Sequence, residues 1–278
     1  MTTLTPFKPS ISESMRARIT EQLHLIEAKH DVTILFAIES GSRAWGFPSP
    51  DSDYDVRFVY MHKLDWYLSL ETGRDVIELP IDDELDISGW EIRKALNLML
   101  RSNPVLLEWL HSPIKYIWRE QLADPLRGLA GDAASQTPCI HHYLNLGVRY
   151  WEKANATEQR MNLKRFFYSL RPALALLWFK QNPDRTPPMN VQELAAGLSV
   201  STEVLAEIED LIRAKTQLKE KQNLDALPNI AQLKALMLNT FDWAQNTDKP
   251  RHVPMKTANA EEYFREIIKQ SDRVRVEI

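Results

Sequence analysis

Asp53 and Asp55 stand two residues apart at the mouth of an apolar run, in the stretch "ESGSRAWGFPSPDSDYDVRFVY" that spans residues 39–60. In an extended segment positions i and i+2 point to one face, so the two carboxylates converge on a small volume. Carboxylates that close repel, and one holds its proton unless a cation intervenes. A hard divalent ion such as Mg²⁺ takes oxygen ligands and relieves the repulsion, and Mn²⁺ could substitute. A third acid is expected from a neighbouring strand. In "ELDISGW" (84–90), Glu84, Asp86 and Ser88 share one face, while Leu85 and Ile87 share the other. A charge among apolar neighbours is expensive unless it is paired or bound to metal. Asp86, mid-strand, is the better candidate, and Glu84 is the fallback.

Gly41 and Ser42 precede the acids by a short loop. Glycine permits close backbone approach and unusual dihedrals. Ser42 offers a hydroxyl and a backbone N–H, and Arg43 follows it directly. If "SRAWG" opens a short helix, its N–H groups point at an anion. A phosphate seat beside a carboxylate-held metal is the equipment of phosphoryl or nucleotidyl transfer.

Several elements must position these residues. Residues 11–30 predict an amphipathic helix, with Ile19, Leu23 and Ile26 at helical spacing. "VTILFAI" (32–38) predicts a buried strand, and 53–61 a second strand with Asp53, Asp55 and Arg57 on one side. "RDVIEL" (74–79) and 84–90 predict a hairpin across "PIDD". Helices are expected over about 91–102 and after Asn103-Pro104. The second half reads as helical, over roughly 139–156, 160–181, 190–197, 202–222, 228–245 and 260–270. The fold class is therefore α+β: a small mixed sheet flanked by helices over 1–120, then an all-α region over 121–278.

A formal net charge of −4 gives no global pull toward nucleic acid or anionic lipid, so any such contact must be local. The single cysteine, Cys139, excludes an internal disulfide and fits a reducing cytoplasm. The N-terminus lacks the pattern of a secretory signal. The apolar run at 172–179 is too short to span a bilayer, so no membrane partner is expected.

The Gly-Ser pair, the "DYD" ten residues later and the strand acid in "LDI" resemble the polymerase-β nucleotidyltransferase superfamily. The fuller string, with "DISGWEIRKALNLMLRSNPVLLEWLHSP" after it, is similar to the bacterial nucleotidyltransferases of the RNA-repair-pathway type. The resemblance is strong over about 32–113. It implies that Gly41 and Ser42 hold the β- and γ-phosphates, with Arg43 beside them. It implies that Asp53 and Asp55 ligate both metals, and that Asp86 ligates the catalytic metal and helps deprotonate the acceptor. Many relatives carry an arginine later in this turn, whereas here it follows Ser42 at once.

In "LKRFFYSLRPALALLWF", Lys164, Tyr168 and Arg171 recur at i, i+4 and i+7 on one helix stripe. The superfamily often brings a lysine and an aromatic from a following helical domain to the nucleotide, and this stripe is the counterpart here. Residues 141–185 hold eight Lys/Arg against three Asp/Glu, a local excess in an acidic chain. The expectation is a metal-dependent transfer of NMP from a nucleoside triphosphate to an acceptor hydroxyl, with an RNA end as the acceptor implied by the resemblance. A protein or small-molecule acceptor stays open. A glycosyltransferase using "DYD" would need more than the one strand that precedes the motif. A nucleotide-binding module without catalysis is the non-enzyme alternative.

Overall fold

The computed structural model describes residues 4–71, 73–82, 84–133, 135–155, 162–183, 185–218, 229–247 and 257–271. The chain forms two compact units. One comprises Ser10–Gly41, Asp53–Ala134 and Val253–Ile278; the other comprises Met1–Pro9, Ser42–Ser52 and Ser135–His252. The sequence places one cut near residue 120. Along the chain the two units instead alternate, and one of the changes falls between Gly41 and Ser42.

The first unit is built on a five-stranded sheet. In chain order it contains α1 (Glu13–His30), β1 (Val32–Glu39), the first residue of α2 (Gly41–Trp45), β2 (Tyr54–His62), α3 (Leu64–Tyr67), β3 (Val76–Glu78), β4 (Leu85–Glu91), α4 (Ile92–Leu100), α5 (Pro104–Leu110), β5 (Lys115–Trp118) and α6 (Glu120–Ala133). The strand order is β3-β4-β2-β1-β5. β3 and β4 form the expected antiparallel hairpin, and β1 pairs antiparallel with both β2 and β5. β2 and β4 run parallel. That pairing cannot be read from the chain, because a parallel partner is set by the crossover rather than by a turn.

α1 begins at Ser12, whose hydroxyl accepts from Met15 N at 3.2 Å, and ends at Asp31 in the left-handed region at φ 50°. Its stripe of Ile19, Leu23 and Ile26 buries against Ile34, Val56, Phe58, Tyr60 and Ile87. Each such side chain contributes about 1.5–3 kcal/mol when fully buried. β1 is buried along its whole length, as its unbroken apolar run predicts. α4 packs against β2 and β4, and α6 packs against β1. β5 and α6 lie where the sequence reading placed only a boundary. β5 has four residues, too few for alternation to stand out.

The second unit is helical: α7 (Gln136–Asn155), α8 (Leu163–Gln181), α9 (Val191–Ala196), α10 (Thr202–Gln217) and α11 (Ala231–Asn246). The last helix, α12 (Thr257–Gln270), belongs to the sheet unit. Residues 156 and 160–161 of the expected helices, with 219–222 and 228, lie outside the described residues. α8 is the core of the helical unit, with Phe166, Phe167, Leu170, Leu174 and Ala175 at 0 % exposure. Ser169 Oγ donates to Gly147 O at 2.8 Å and ties α8 to α7. Among the described residues no helix is long and apolar enough to cross a membrane.

Candidate active site

The parallel pairing of β2 with β4 sets Asp55 directly opposite Asp86, between the pairs Tyr54↔Leu85 and Val56↔Ile87. Register partners share a face, so two carboxylates from different strands meet side by side. β4 alternates as expected: Leu85, Ile87 and Gly89 are buried, and Asp86, Ser88 and Trp90 are half-buried. The register thus places Asp86 beside Asp55, the second acid of the DxD motif.

A cation already lies between them. Arg57 Nη2 donates to Asp55 Oδ1 at 3.1 Å and to Asp86 Oδ2 at 2.6 Å. Its Nη1 donates to the carbonyls of Val56 at 3.0 Å and Asp86 at 2.8 Å. Sequence reading set Arg57 on the acidic side of the strand by alternation without giving it a role. The structure makes it the fork that joins the pair.

Asp53 lies one residue ahead of β2 and is exposed. Among the described residues, no group of three His, Cys, Asp or Glu side chains is gathered as ligands for one ion. The structure thus brings Asp55 and Asp86 together without drawing Asp53 into the same cluster. The ladder register holds Asp55, whereas Asp53 precedes it; the first bond there is Tyr54 N to Glu84 O at 2.8 Å. Glu84, the fallback acid, is exposed and stands 3.5 Å from Arg18.

Gly41 is needed where it stands. Its φ is +58°, and a Cβ there would overlap Asp55 Oδ2 and stand 2.8 Å from Asp55 Cγ. Ser40 N donates to Asp55 O at 2.7 Å, which fixes the turn against the start of β2. A second residue missed by sequence reasoning is Glu39, fully buried at the end of β1. Its Oε1 accepts from Asp55 N at 2.9 Å and its Oε2 from Tyr116 OH at 2.5 Å. The signal was an acid ending an otherwise apolar strand, which the DxD motif overshadowed.

Two in-register carboxylates offer oxygen ligands. Oxygen donors of this kind are what a hard divalent cation takes, and here the guanidinium of Arg57 stands between them. The close approach of Asp55 Oδ2 to the Cα of residue 41 sets that carboxylate against the backbone of the Gly-Ser turn.

The remaining predicted residues belong to the helical unit, where loop 42–52 is firmly held. Ser42 is buried, and its carbonyl accepts from Gly46 N at 3.1 Å and Phe47 N at 3.0 Å. Arg43 is also buried, and its Nη2 donates to Ser52 O at 2.6 Å, closing the loop. Gln192 Nε2 donates to Gly46 O at 2.7 Å, and Phe47 stacks on Phe167 with centroids 4.3 Å apart. Lys215, buried on α10, donates to Ser49 Oγ. Tyr168 meets Trp45 edge-on at 5.1 Å and Tyr150 at 5.0 Å, and Lys164 is half-buried one turn earlier. Arg171 does not share an open stripe with them. It is 2 % exposed, donates from Nε to Met189 O at 2.8 Å and lies 5.1 Å from the Trp45 ring. The i+7 step carries it past the margin of the helix face and into the core.

The chain is similar to known proteins in three comparisons. The model of the RNA repair pathway DNA polymerase beta family matches residues 15–266. The uncharacterized protein YcgL of Bacillus subtilis (strain 168) is 47 % identical over 206 residues, covering 74 % of this chain and 78 % of that protein. A crystal structure of a nucleotidyltransferase-like protein from Exiguobacterium sibiricum 255-15 aligns over 93 % of this chain and 82 % of its own, with 10 % identity and a TM-score of 0.29, too distant to place individual residues. With the match covering most of its length, the chain belongs to the RNA repair pathway DNA polymerase beta family.

Proposed function

We propose that this protein is a nucleotidyltransferase that moves NMP from a nucleoside triphosphate to an acceptor hydroxyl and releases pyrophosphate. The observation that carries the reading is the in-register pair Asp55–Asp86 against the Gly41 turn, in a chain of this family. Asp55 and Asp86 would hold Mg²⁺, with Asp53, exposed and outside their cluster in this structure, as the proposed third ligand. When bound, the ion supplies charge neutralisation at the phosphates and at the attacking oxygen. Gly41 lets the backbone of the turn come close to the Asp55 carboxylate, so a phosphate seated on the Gly41 backbone lies beside it. Asp86 orients the acceptor and takes its proton. The acceptor oxygen then bonds to the α-phosphorus, the bond from that phosphorus to the bridging oxygen breaks, and pyrophosphate leaves with the electron pair. An RNA end is the proposed acceptor, supported by the family's description alone.

Incubation with each α-labelled triphosphate, Mg²⁺ and pools of RNA, protein or metabolites tests this. Label should enter one pool, and Asp55→Asn and Asp86→Asn should each abolish transfer in a folded protein. Transfer that survives both substitutions would reject the mechanism. A nucleotide-binding module without catalysis is the second reading, favoured by the guanidinium that already spans the acidic pair. It predicts saturable nucleotide binding with no pyrophosphate released at any metal concentration.

A further inference from the structure

We propose that Arg57 is a built-in counter-cation of the Asp55–Asp86 pair, and that a divalent ion enters by displacing one edge of its guanidinium. The inference rests on the reading of these acids as metal ligands, and it assigns Arg57 as the positioning residue that sets metal affinity.

The two edges of the guanidinium have separate tasks. Nη2 bridges Asp55 Oδ1 and Asp86 Oδ2, the oxygens of the two facing carboxylates. Nη1 is bound to main-chain oxygens of Val56 and Asp86, which belong to the paired strands of the sheet. Loss of the Nη2 contacts alone therefore leaves the side chain anchored beside the site. Arg57 is 17 % exposed, against 28 % for Asp55 and 31 % for Asp86, so the acids are open to solvent from which an ion can arrive.

Electrostatics explains why such a residue is needed. Without a cation, carboxylates brought together by strand register repel and disfavour the pairing of β2 with β4. Arginine remains charged at all working pH, so it protects the metal-free sheet under every condition. The same contact opposes metal, since one carboxylate oxygen cannot serve both cations at full strength. A guanidinium also presents a planar fork that ammonium lacks, so lysine should bridge the pair poorly.

The test measures Mn²⁺ binding to the full chain by isothermal titration, without substrate, for wild type, Arg57→Gln, Arg57→Lys, Asp55→Asn and Asp86→Asn. Arg57→Gln should bind Mn²⁺ about tenfold or more tighter, the smallest step by which a neighbouring opposite charge moves proton binding to a carboxylate. Arg57→Lys should fall between it and wild type. Should Arg57→Gln fail to fold, Arg57→Lys and wild-type NMR carry the test: saturating Mg²⁺ should shift the Arg57 side-chain N–H resonances. Affinity in the Arg57 variants equal to or below wild type, or resonances indifferent to Mg²⁺, would overturn the proposal. If the Asp variants alone then lose Mn²⁺, the metal reading stands without it. Absence of Mn²⁺ binding in wild type and Arg57 variants alike would remove both.

Discussion

Asp55 Oδ2 fills the space in which any side chain at residue 41 would have to stand. Gly41→Ala therefore forces the carboxylate away or opens the turn, and the φ of +58° adds about 1 kcal/mol of backbone cost. A displacement of about 1 Å at a reacting centre can lower a rate by about a hundredfold. Gly41→Ala is expected to lose nucleotidyl transfer on that scale while melting only a few degrees lower. Initial rates and a thermal melt on one preparation decide this; full activity in the variant would show that Asp55 need not stay where it is.

Arg171 was legible only as a helical-face cation, and its burial gives a different expectation. Arg171→Lys keeps the charge but loses the Nε bond to Met189 O and the guanidinium's place over the Trp45 ring. A buried charge-assisted hydrogen bond that is broken costs about 2–3 kcal/mol. Urea unfolding should register that loss. A loss below about 0.5 kcal/mol would mean that Arg171 is no anchor.

His62 stays neutral in the folded chain. Burial, with His30 nearby and Asp31 opposing, brings its pKa from 6.5 to about 4, and its ring stacks on Trp66 at 4.0 Å. Since the folded value is the lower one, the unfolded chain binds more protons between these limits. This contribution to stability is complete above pH 6.5 and is lost as the pH falls toward 4. Between pH 7 and 5 the wild type should lose about 2 kcal/mol more than His62→Gln. Urea unfolding at the two pH values measures the difference, and parallel losses would show that the imidazole titrates freely in the fold.

The sequence readings succeeded where the cause is local. Alternation placed Asp86 and Ser88 opposite Leu85 and Ile87, and it set Arg57 on the face of Asp55. Helical spacing found the stripe of α1. The missing parts are set at long range. The parallel register of β2 with β4 makes neighbours of residues 31 positions apart in sequence (55 and 86), and no local pattern specifies it. Within the segment 42–52, residues 47–52 read as a loop with two prolines and polar turn residues. The segment's attachment to α8, α9 and α10 depends on partners such as Phe167, Gln192 and Lys215, more than a hundred residues away.

Glu39 gives the last prediction. At 0 % exposure its carboxylate accepts from Asp55 N and Tyr116 OH, while its own carbonyl accepts from Ser112 Oγ at 2.7 Å. One side chain thus ties the end of β1 to the start of β2 and to β5, beside the acid that carries the proposed chemistry. Glu39→Ala strips the acceptor from Asp55 N and should cost about 2–3 kcal/mol, with transfer reduced about tenfold or more. Glu39→Gln retains an amide oxygen for the same N–H and should restore most of the rate. Tyr116→Phe removes only the outer hydrogen bond, for about 1 kcal/mol, and should leave turnover within about threefold. Paired unfolding and rate measurements separate the cases. If Glu39→Gln is as inactive as Glu39→Ala, the negative charge matters rather than the bond to Asp55, and the bracing account of Glu39 fails.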